Sequence, residues 1–125
     1  MIFGIGTDIV AIARLQTMWE RHGERCLDRL LAPQEFAAFA AANDKGRFLA
    51  KRFAAKEALA KALGTGVRPP ALLPAMWVEH DALGRPLFGF APELAECLSA
   101  RSLVAHLSLS DEADYATAFV VLETR

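Results

Sequence analysis

The stretch from Gly46 to Leu63 constrains the possible folds of this chain more than any other part. It contains no proline and no glycine after its first residue, it is rich in alanine, and Gly64 follows it directly. Alanine has the highest intrinsic helix propensity, and glycine often caps the carboxyl end of a helix. The pattern therefore predicts one long helix. At about 100° per residue, its core-facing stripe would consist of Leu49, Phe53, Ala60 and Leu63.

The segments on either side of this helix predict a mixed fold. Apolar residues at helical or alternating spacing indicate further helices and strands. The expected strands are Ile2–Ile9, whose hydrophobicity predicts burial, Ala75–His80, Pro86–Phe90, Leu103–Ser110 and Tyr115–Leu122. The expected helices are one from Ile12 that Gly23 interrupts, a short one around Phe36–Ala40, and Pro92–Arg101. We interpret this order as an α+β fold, with a single domain over residues 1–125 in which the long helix packs on a mainly antiparallel sheet.

The size and charge of the chain exclude several classes of protein. With 125 residues, a hydrophobic fraction of 54% and a formal net charge of −1, it is neither a disordered tail nor a globally basic nucleic-acid binder. Residues 45–68 hold seven of the fourteen Lys and Arg residues but only one acid, Glu57, so this segment carries +6 and the remainder −7. A local positive field on a nearly neutral protein suits a discrete, phosphate-rich ligand.

The cysteines and the amino terminus bear on the location of the protein. Cys26 and Cys97 show no metal-ligand spacing, so we expect free thiols and no disulfide or zinc site. The apolar start of the chain is broken at Asp8 and lacks a signal-peptide pattern, and no apolar run approaches the roughly 18 residues of a membrane helix. We therefore expect a soluble, cytoplasmic protein without membrane or nucleic-acid partners.

Two isolated carboxylates are the candidates for a metal site. Asp8 leaves the first hydrophobic strand, and Glu57 lies on the long helix one turn before Lys61. Mg²⁺ needs only one or two protein carboxylates when water and substrate phosphates complete its coordination shell. Each carboxylate also has a structural alternative, because Asp8 can cap the first helix and Glu57 can form an ordinary i,i+4 ion pair with Lys61.

Small residues near these carboxylates leave two further alternatives open. Ala50 and Ala54 share a face of the long helix with Glu57, and side chains this small leave room for a ligand or allow another element to pack closely. Gly64-Thr65-Gly66 can be a phosphate-binding loop or only a helix cap followed by a turn.

Longer motifs carry a resemblance to a known family. Gly4-Ile5-Gly6-Thr7-Asp8-Ile9-Val10, the stretch Arg47–Ala58 and the stretch Lys61–Gly66 closely resemble the holo-acyl-carrier-protein synthases, the short bacterial class of 4′-phosphopantetheinyl transferases. This resemblance covers essentially the whole chain. It implies a magnesium-dependent transfer of the phosphopantetheine arm of coenzyme A to a serine of apo acyl carrier protein, which releases adenosine 3′,5′-bisphosphate and supports fatty acid biosynthesis. It also implies the fold of that family and a homotrimer with coenzyme A bound between protomers.

The same resemblance implies roles for individual residues. Asp8 and Glu57 match the metal ligands, and Lys61 completes the catalytic set by contacting the pyrophosphate; the general base is either Glu57 or a metal-bound water. The implied coenzyme contacts are Arg52 at the 3′-phosphate, Lys56, Lys61, Gly64, Thr65, Gly66 and Ser108. The arginines implied in docking the acidic carrier protein are Arg14, Arg21 and Arg25, with a solvated face of mixed charge as the alternative.

One position departs from the family pattern, and two other classes of function remain open. Many relatives carry a histidine after the strand Ser108-Leu109-Ser110, where this chain has Asp111. An aspartate repels phosphate, which argues against a coenzyme contact at this position. The alternative functions are a non-catalytic module that binds coenzyme A or docks a carrier protein, and a metal-dependent hydrolase of a pyrophosphate-containing nucleotide.

Overall fold

Five strands and five helices make up the structure, a computed structural model that describes every residue from Met1 to Arg125. In chain order they are β1 (Ile2–Ala11), α1 (Ile12–His22), α2 (Glu24–Leu30), α3 (Phe36–Ala41), α4 (Lys45–Leu63), β2 (Met76–His80), β3 (Pro86–Phe90), α5 (Pro92–Ala100), β4 (Leu103–Asp111) and β5 (Tyr115–Thr124). Single 3-10 turns occur at Pro33–Glu35 and Leu73–Ala75. The predicted α+β class is confirmed.

Helix α4 is the predicted long helix, and it lies at the centre of the protein. Asp44 caps its amino end by accepting a hydrogen bond from the Arg47 backbone N–H, and Gly64 ends it in the left-handed conformation at φ 84°. Of the predicted core stripe, Leu49, Ala60 and Leu63 are buried, whereas Phe53 is only partly so. Burial also extends around most of the remaining circumference, over residues that include the alanines.

Strand β1 lies directly on α4 because its glycines permit a close approach. A Cβ atom added to Gly4 would lie 2.0 Å from the Ala62 carbonyl oxygen, and one added to Gly6 would lie 2.0 Å from the Ala58 carbonyl oxygen. Any larger side chain would force the strand off the helix. Close packing therefore accounts for the small residues at this part of α4. Ala50 and Ala54 are likewise fully buried, so they leave no room for a ligand.

The main sheet is antiparallel, with the strand order β1-β5-β4. Asp8 of β1 pairs with Ala118 of β5, and Ser108 of β4 pairs with Phe119 of β5. Because successive residues of a strand point to opposite faces, Asp8 and Ala118 share the inner face, which packs on α4, while Ser108 and Phe119 share the outer face.

The outer face of this sheet is apolar and exposed in the protomer. Ile5, Ile9 and Phe119 have exposed fractions of 59%, 67% and 45%. The prediction that the first strand is buried is therefore wrong for its outer face, since only alternate residues of β1 reach α4.

The second sheet is the predicted hairpin, in which β2 pairs with β3 in the register Val78 to Phe88. The Asp81 side chain closes its turn by accepting hydrogen bonds from the backbone N–H groups of Leu83 and Arg85. Gly23, at φ 54°, separates α1 from α2 as expected. No helix combines the length and the apolar character that crossing a membrane requires.

Candidate functional site

Asp8 lies on the inner face of β1, where the strand crosses α4. Its Oδ1 accepts a hydrogen bond from Lys61 Nζ at 3.1 Å, and the same ammonium group donates to the Thr7 carbonyl oxygen at 2.9 Å. The Oδ2 atom is buried and has no hydrogen-bond partner. The capping alternative for Asp8 is wrong, because the residue lies within β1 and the N-cap position of α1 belongs to Ala11.

Glu57 lies beside this pair and responds to it electrostatically. Burial raises the pKa of the Glu57 carboxyl, the charge of Asp8 raises it further, and the nearby charges of Lys61 and Arg14 oppose the shift. The alternative of an ordinary Glu57 to Lys61 ion pair is also wrong, because Lys61 is paired with Asp8. The fold thus brings together residues from two segments that are about fifty positions apart in the sequence.

The donor set at this place suits a hard divalent cation. No group of three or more His, Cys, Asp and Glu side chains is arranged to hold a metal ion, so two carboxylates are what the protomer offers. Mg²⁺ is commonly bound by one or two carboxylates together with water and phosphate oxygens. The unpaired Oδ2 of Asp8 and the mutual repulsion of Asp8 and Glu57 leave negative charge that such an ion would compensate.

A second feature is a cavity at the amino-terminal half of α4. Its volume is about 260 Å³, and it is lined by Asp44, Arg47, Phe48, Lys51, Arg52 and His80. Burial and the charges of Arg52 and Lys51 lower the pKa of His80, which indicates a positive field in this cavity. Three cations around one acid make it a candidate for binding an anion.

The positive field is weaker than the sequence suggests, because acids from other segments reach the cations of α4. Asp111 approaches Arg47 at 2.8 Å and Lys51 at 3.6 Å, and Glu35 approaches two further cations of the helix. The Asp111 carboxylate is therefore tied to its own protomer, and it neutralises two side chains at the rim of the cavity.

Lys56 requires a correction. Its side chain is completely buried, and its ammonium donates to Glu35 Oε1 at 2.6 Å and to the Leu30 carbonyl oxygen at 2.8 Å. The expectation that Lys56 contacts coenzyme A is wrong, because this group faces the core and has no access to a ligand. Burial lowers the pKa of Lys56 to about 8, and the carboxylate of Glu35 opposes that shift.

Glu35 is the polar residue that reasoning from the sequence missed. It is buried, and besides Lys56 and Arg52 it binds the backbone N–H groups of Ala32 and Val78, each at 3.0 Å. A usable signal was present, since Pro33 followed two residues later by a glutamate is typical of a first helical turn whose third residue reaches back to the N-cap N–H.

The remaining predicted coenzyme contacts lie in two other places. The N–H groups of Gly64 and Gly66 bond to the carbonyl oxygens of Lys61 and Ala60, and the Thr65 hydroxyl bonds to the Gly66 carbonyl oxygen. Two of the three N–H groups of this loop are thus already used by the helix cap. Ser108 is exposed on the outer face of the sheet, opposite to the face that carries Asp8.

The predicted docking arginines are exposed on α1 and α2. Arg14 lies closest to the carboxylates, since its charge acts on Glu57 and its guanidinium carbon is 5.4 Å from the centre of the Phe53 ring. Arg25 borders a cavity of about 180 Å³ that Met18, His22, Cys26 and Arg29 complete. Because α2 starts anew after Gly23, the arginines do not form the single continuous helical row that an unbroken helix would give.

Comparison with known proteins adds to this geometry. A model of the 4′-phosphopantetheinyl transferase superfamily matches residues 4–120. The holo-[acyl-carrier-protein] synthase of Dechloromonas aromatica is 68% identical over 123 residues, which cover 98% of each chain. The crystal structure of the holo-[acyl-carrier-protein] synthase from Neisseria meningitidis superposes with a TM-score of 0.95 at 44% identity, covering 99% of this chain and 100% of the other. The corresponding synthase from Bacillus anthracis, in complex with coenzyme A (3′,5′-ADP), gives a TM-score of 0.84 at 31% identity, covering 100% and 99%.

Proposed function

This chain belongs to the 4′-phosphopantetheinyl transferase superfamily, and we propose that it transfers the 4′-phosphopantetheine group of coenzyme A to a serine of apo acyl carrier protein. The products are holo acyl carrier protein and adenosine 3′,5′-bisphosphate. The observation that carries the proposal is the convergence of Asp8, Glu57 and Lys61 where β1 crosses α4. The whole-length similarity to holo-[acyl-carrier-protein] synthases, one of them bound to coenzyme A, supports it.

The three side chains match what the reaction requires. The serine oxygen attacks the phosphorus that carries the pantetheine, and the bond from that phosphorus to the leaving bisphosphate breaks. The serine proton passes to Glu57 or to a water molecule held beside it, which are the two general bases that the resemblance implies. The Lys61 ammonium is half exposed and can stabilise the charge that develops on the leaving phosphate.

We propose Asp8 and Glu57 as the ligands of Mg²⁺. When bound, the ion would supply charge neutralisation for the pyrophosphate. The unpaired Asp8 Oδ2 supports this assignment, since it is a buried oxygen that lacks a donor. Titration with Mg²⁺ should raise the melting temperature of the native protein, and Glu57→Gln should remove most of that rise.

We propose that Arg52 contacts the 3′-phosphate of the coenzyme, and that Gly64, Thr65 and Gly66 lie along its pyrophosphate. Arg52 is supported by its place in the cationic cavity. The glycine loop is supported by its position one turn beyond Lys61.

We propose a homotrimer in which Ser108 serves a coenzyme bound mainly by a neighbouring protomer. The exposed apolar outer face of the sheet supports this, because Ile5, Ile9 and Phe119 form a surface that a second copy can cover. Ser108 lies in the same row as Phe119 and so would belong to the interface. Light scattering of the native protein and of Phe119→Asp tests the assembly: a smaller mass for the variant is expected, and a monomeric native protein would contradict it.

We propose Arg14, Arg21 and Arg25 as the docking surface for the carrier protein, acting in the cytoplasm in fatty acid biosynthesis. All three are exposed, and Arg14 lies near the carboxylates that would receive the carrier serine. Cationic side chains of this kind mainly accelerate association with an acidic partner.

Intact-mass analysis of the carrier protein tests the function. The protein is incubated with apo acyl carrier protein, coenzyme A and Mg²⁺, and a gain of one phosphopantetheine group is expected. Split coenzyme with unmodified carrier would indicate a hydrolase, and intact coenzyme with unmodified carrier would indicate a binding module; either result would overturn the proposal. Glu57→Gln should lower the rate by about 100-fold or more. Glu96→Gln, the same change on the exposed side of α5, is the matched control.

A further inference from the structure

Glu35 organises a buried charge network on the far side of the cationic cavity. Its carboxylate faces Arg52 and Lys56, which lie one turn apart on α4. The Glu35 side chain is 1% exposed, Lys56 is completely buried, and the Arg52 side chain is 7% exposed. A carboxylate this deeply buried needs several hydrogen-bond or ionic partners. Besides the two cations, Glu35 accepts hydrogen bonds from the backbone N–H groups of Ala32 and Val78.

Arg52 is held from two sides and left free at a third. Its Nε lies 3.0 Å from Glu35 Oε2 in an ion pair without hydrogen-bond geometry, so charge attraction rather than an aligned hydrogen bond holds it there. Its guanidinium carbon lies 4.4 Å from the centre of the Phe48 ring. Its terminal nitrogens make no hydrogen bond in the protomer, and they are not among its buried unpaired atoms. Since Arg52 lines the cavity, these nitrogens are the part of the group that the cavity can reach.

Arg52 differs in this respect from the other two cations of the cavity. Arg47 and Lys51 are both engaged by Asp111, which stands at the rim where an anion would have to compete with it. The partner of Arg52 contacts it from the core, at Nε. An anion can therefore approach the terminal nitrogens of Arg52 without displacing Glu35.

We propose that Glu35 is a positioning residue for substrate binding: it fixes the Arg52 guanidinium in the orientation that receives the terminal phosphate of the coenzyme. This inference rests on the proposed function. A flexible arginine loses rotamer freedom when it binds a phosphate, whereas one that is already held by a carboxylate and an aromatic ring loses little. Glu35 thus contributes to affinity for the 3′-phosphate without touching the substrate.

The test compares coenzyme A with 3′-dephospho-coenzyme A, which lacks the phosphate in question. In Glu35→Gln, KM for coenzyme A should rise about 2- to 10-fold, the factor expected for freeing one long side chain. The turnover number and KM for 3′-dephospho-coenzyme A should stay within about two-fold of the native values. Leu94→Ala, in the buried core of α5, destabilises the protein away from Arg52 and should leave the ratio of the two KM values unchanged.

Loss of the buried charge can also prevent Glu35→Gln from folding, because Lys56 then lacks its partner. The double variant Glu35→Gln with Lys56→Met removes that unpaired cation. The single variant Lys56→Met keeps the contact between Glu35 and Arg52. The proposal expects the altered KM ratio in the double variant and the native ratio in Lys56→Met.

Each outcome separates this inference from the proposed function. If Arg52→Ala raises KM for coenzyme A while the Glu35 variants keep the native KM ratio, Glu35 is structural and the inference is overturned. If Arg52→Ala also leaves KM unchanged, the phosphate does not bind at Arg52 and the inference fails with that assignment, although transfer itself is retained. If the native protein loads no carrier, the proposed function has failed first.

Discussion

Replacement of Gly6 by alanine is the perturbation whose effect follows most directly from the structure. The added Cβ would lie 2.0 Å from the Ala58 carbonyl oxygen and 2.8 Å from the Ala62 backbone nitrogen. Both atoms belong to the backbone of α4, so no side-chain rotation can relieve the overlap. An ordinary contact at 3.4 Å requires strand and helix to separate by about 1.4 Å.

The change in the free energy of unfolding caused by Gly6→Ala is the balance of two contributions. Overpacking of a tight interior typically costs about 1–3 kcal/mol. Alanine recovers about 0.5–1 kcal/mol, because glycine loses more conformational freedom in a strand. Because the overlap is with backbone atoms, the upper value of about 3 kcal/mol applies here. The net loss of about 2 kcal/mol would lower the melting temperature by roughly 8 °C for a chain of this size. Asp8 follows Gly6 by two residues, and a displacement near 1 Å at a reacting group can lower the rate by about 100-fold.

Calorimetry at fixed protein concentration and the carrier-loading assay measure both effects of Gly6→Ala. The control is Glu96→Gln on the exposed side of α5, which lies outside the outer face of the main sheet and should change stability by less than about 0.5 kcal/mol. A native melting temperature together with a native loading rate for Gly6→Ala would refute the direct contact between β1 and the backbone of α4.

Three further outcomes are expected. Burial lowers the pKa of Lys56 from 10.5 to about 8, so the unfolded chain binds more protons than the folded protein between these two pH values. The free energy of unfolding should therefore rise from pH 8 to 10.5, by up to about 3 kcal/mol. Chemical denaturation should show this rise in the native protein and not in Lys56→Met. Asp111→Asn should remove the negative charge that partly neutralises Arg47 and Lys51 and lower KM for coenzyme A about two- to five-fold, and an increased KM would contradict the competition between Asp111 and phosphate. Arg14→Glu should raise KM for the carrier protein much more than KM for coenzyme A, and equal effects in steady-state kinetics would argue against docking at Arg14.

Short-range physics makes part of this fold predictable. Helix α4 follows from alanine-rich sequence and a terminal glycine, and its observed amino end differs from the prediction by one residue. The β2–β3 hairpin follows from two apolar strands around a turn that contains Gly84, and its pairing matches the expectation. Propensities, caps and turns act over a few residues, so a single segment contains the information.

Burial could not be predicted in the same way. The apolar residues Ile5 and Ile9 suggested a fully buried strand, yet the pleat of β1 turns them away from α4. The small side chain of Ala54, beside Glu57 on the predicted helix, suggested room for a ligand. In the structure, other parts of the chain bury Ala54 completely. Which face is covered depends on distant segments, whose positions a local pattern does not specify.

The sequence by itself determined the α+β class, the long helix, and the motif containing Asp8 and the one containing Glu57 and Lys61. Only the tertiary structure decided which charged side chains pair. Lys61 forms its ion pair with Asp8 rather than with Glu57, and Lys56 is buried in an ion pair with Glu35, where no ligand can reach it. Ion pairs form between side chains that are a few ångströms apart in space, whatever their separation along the chain. Sequence patterns identified the chemical groups, and the crossing of β1 over α4 decided which of them meet.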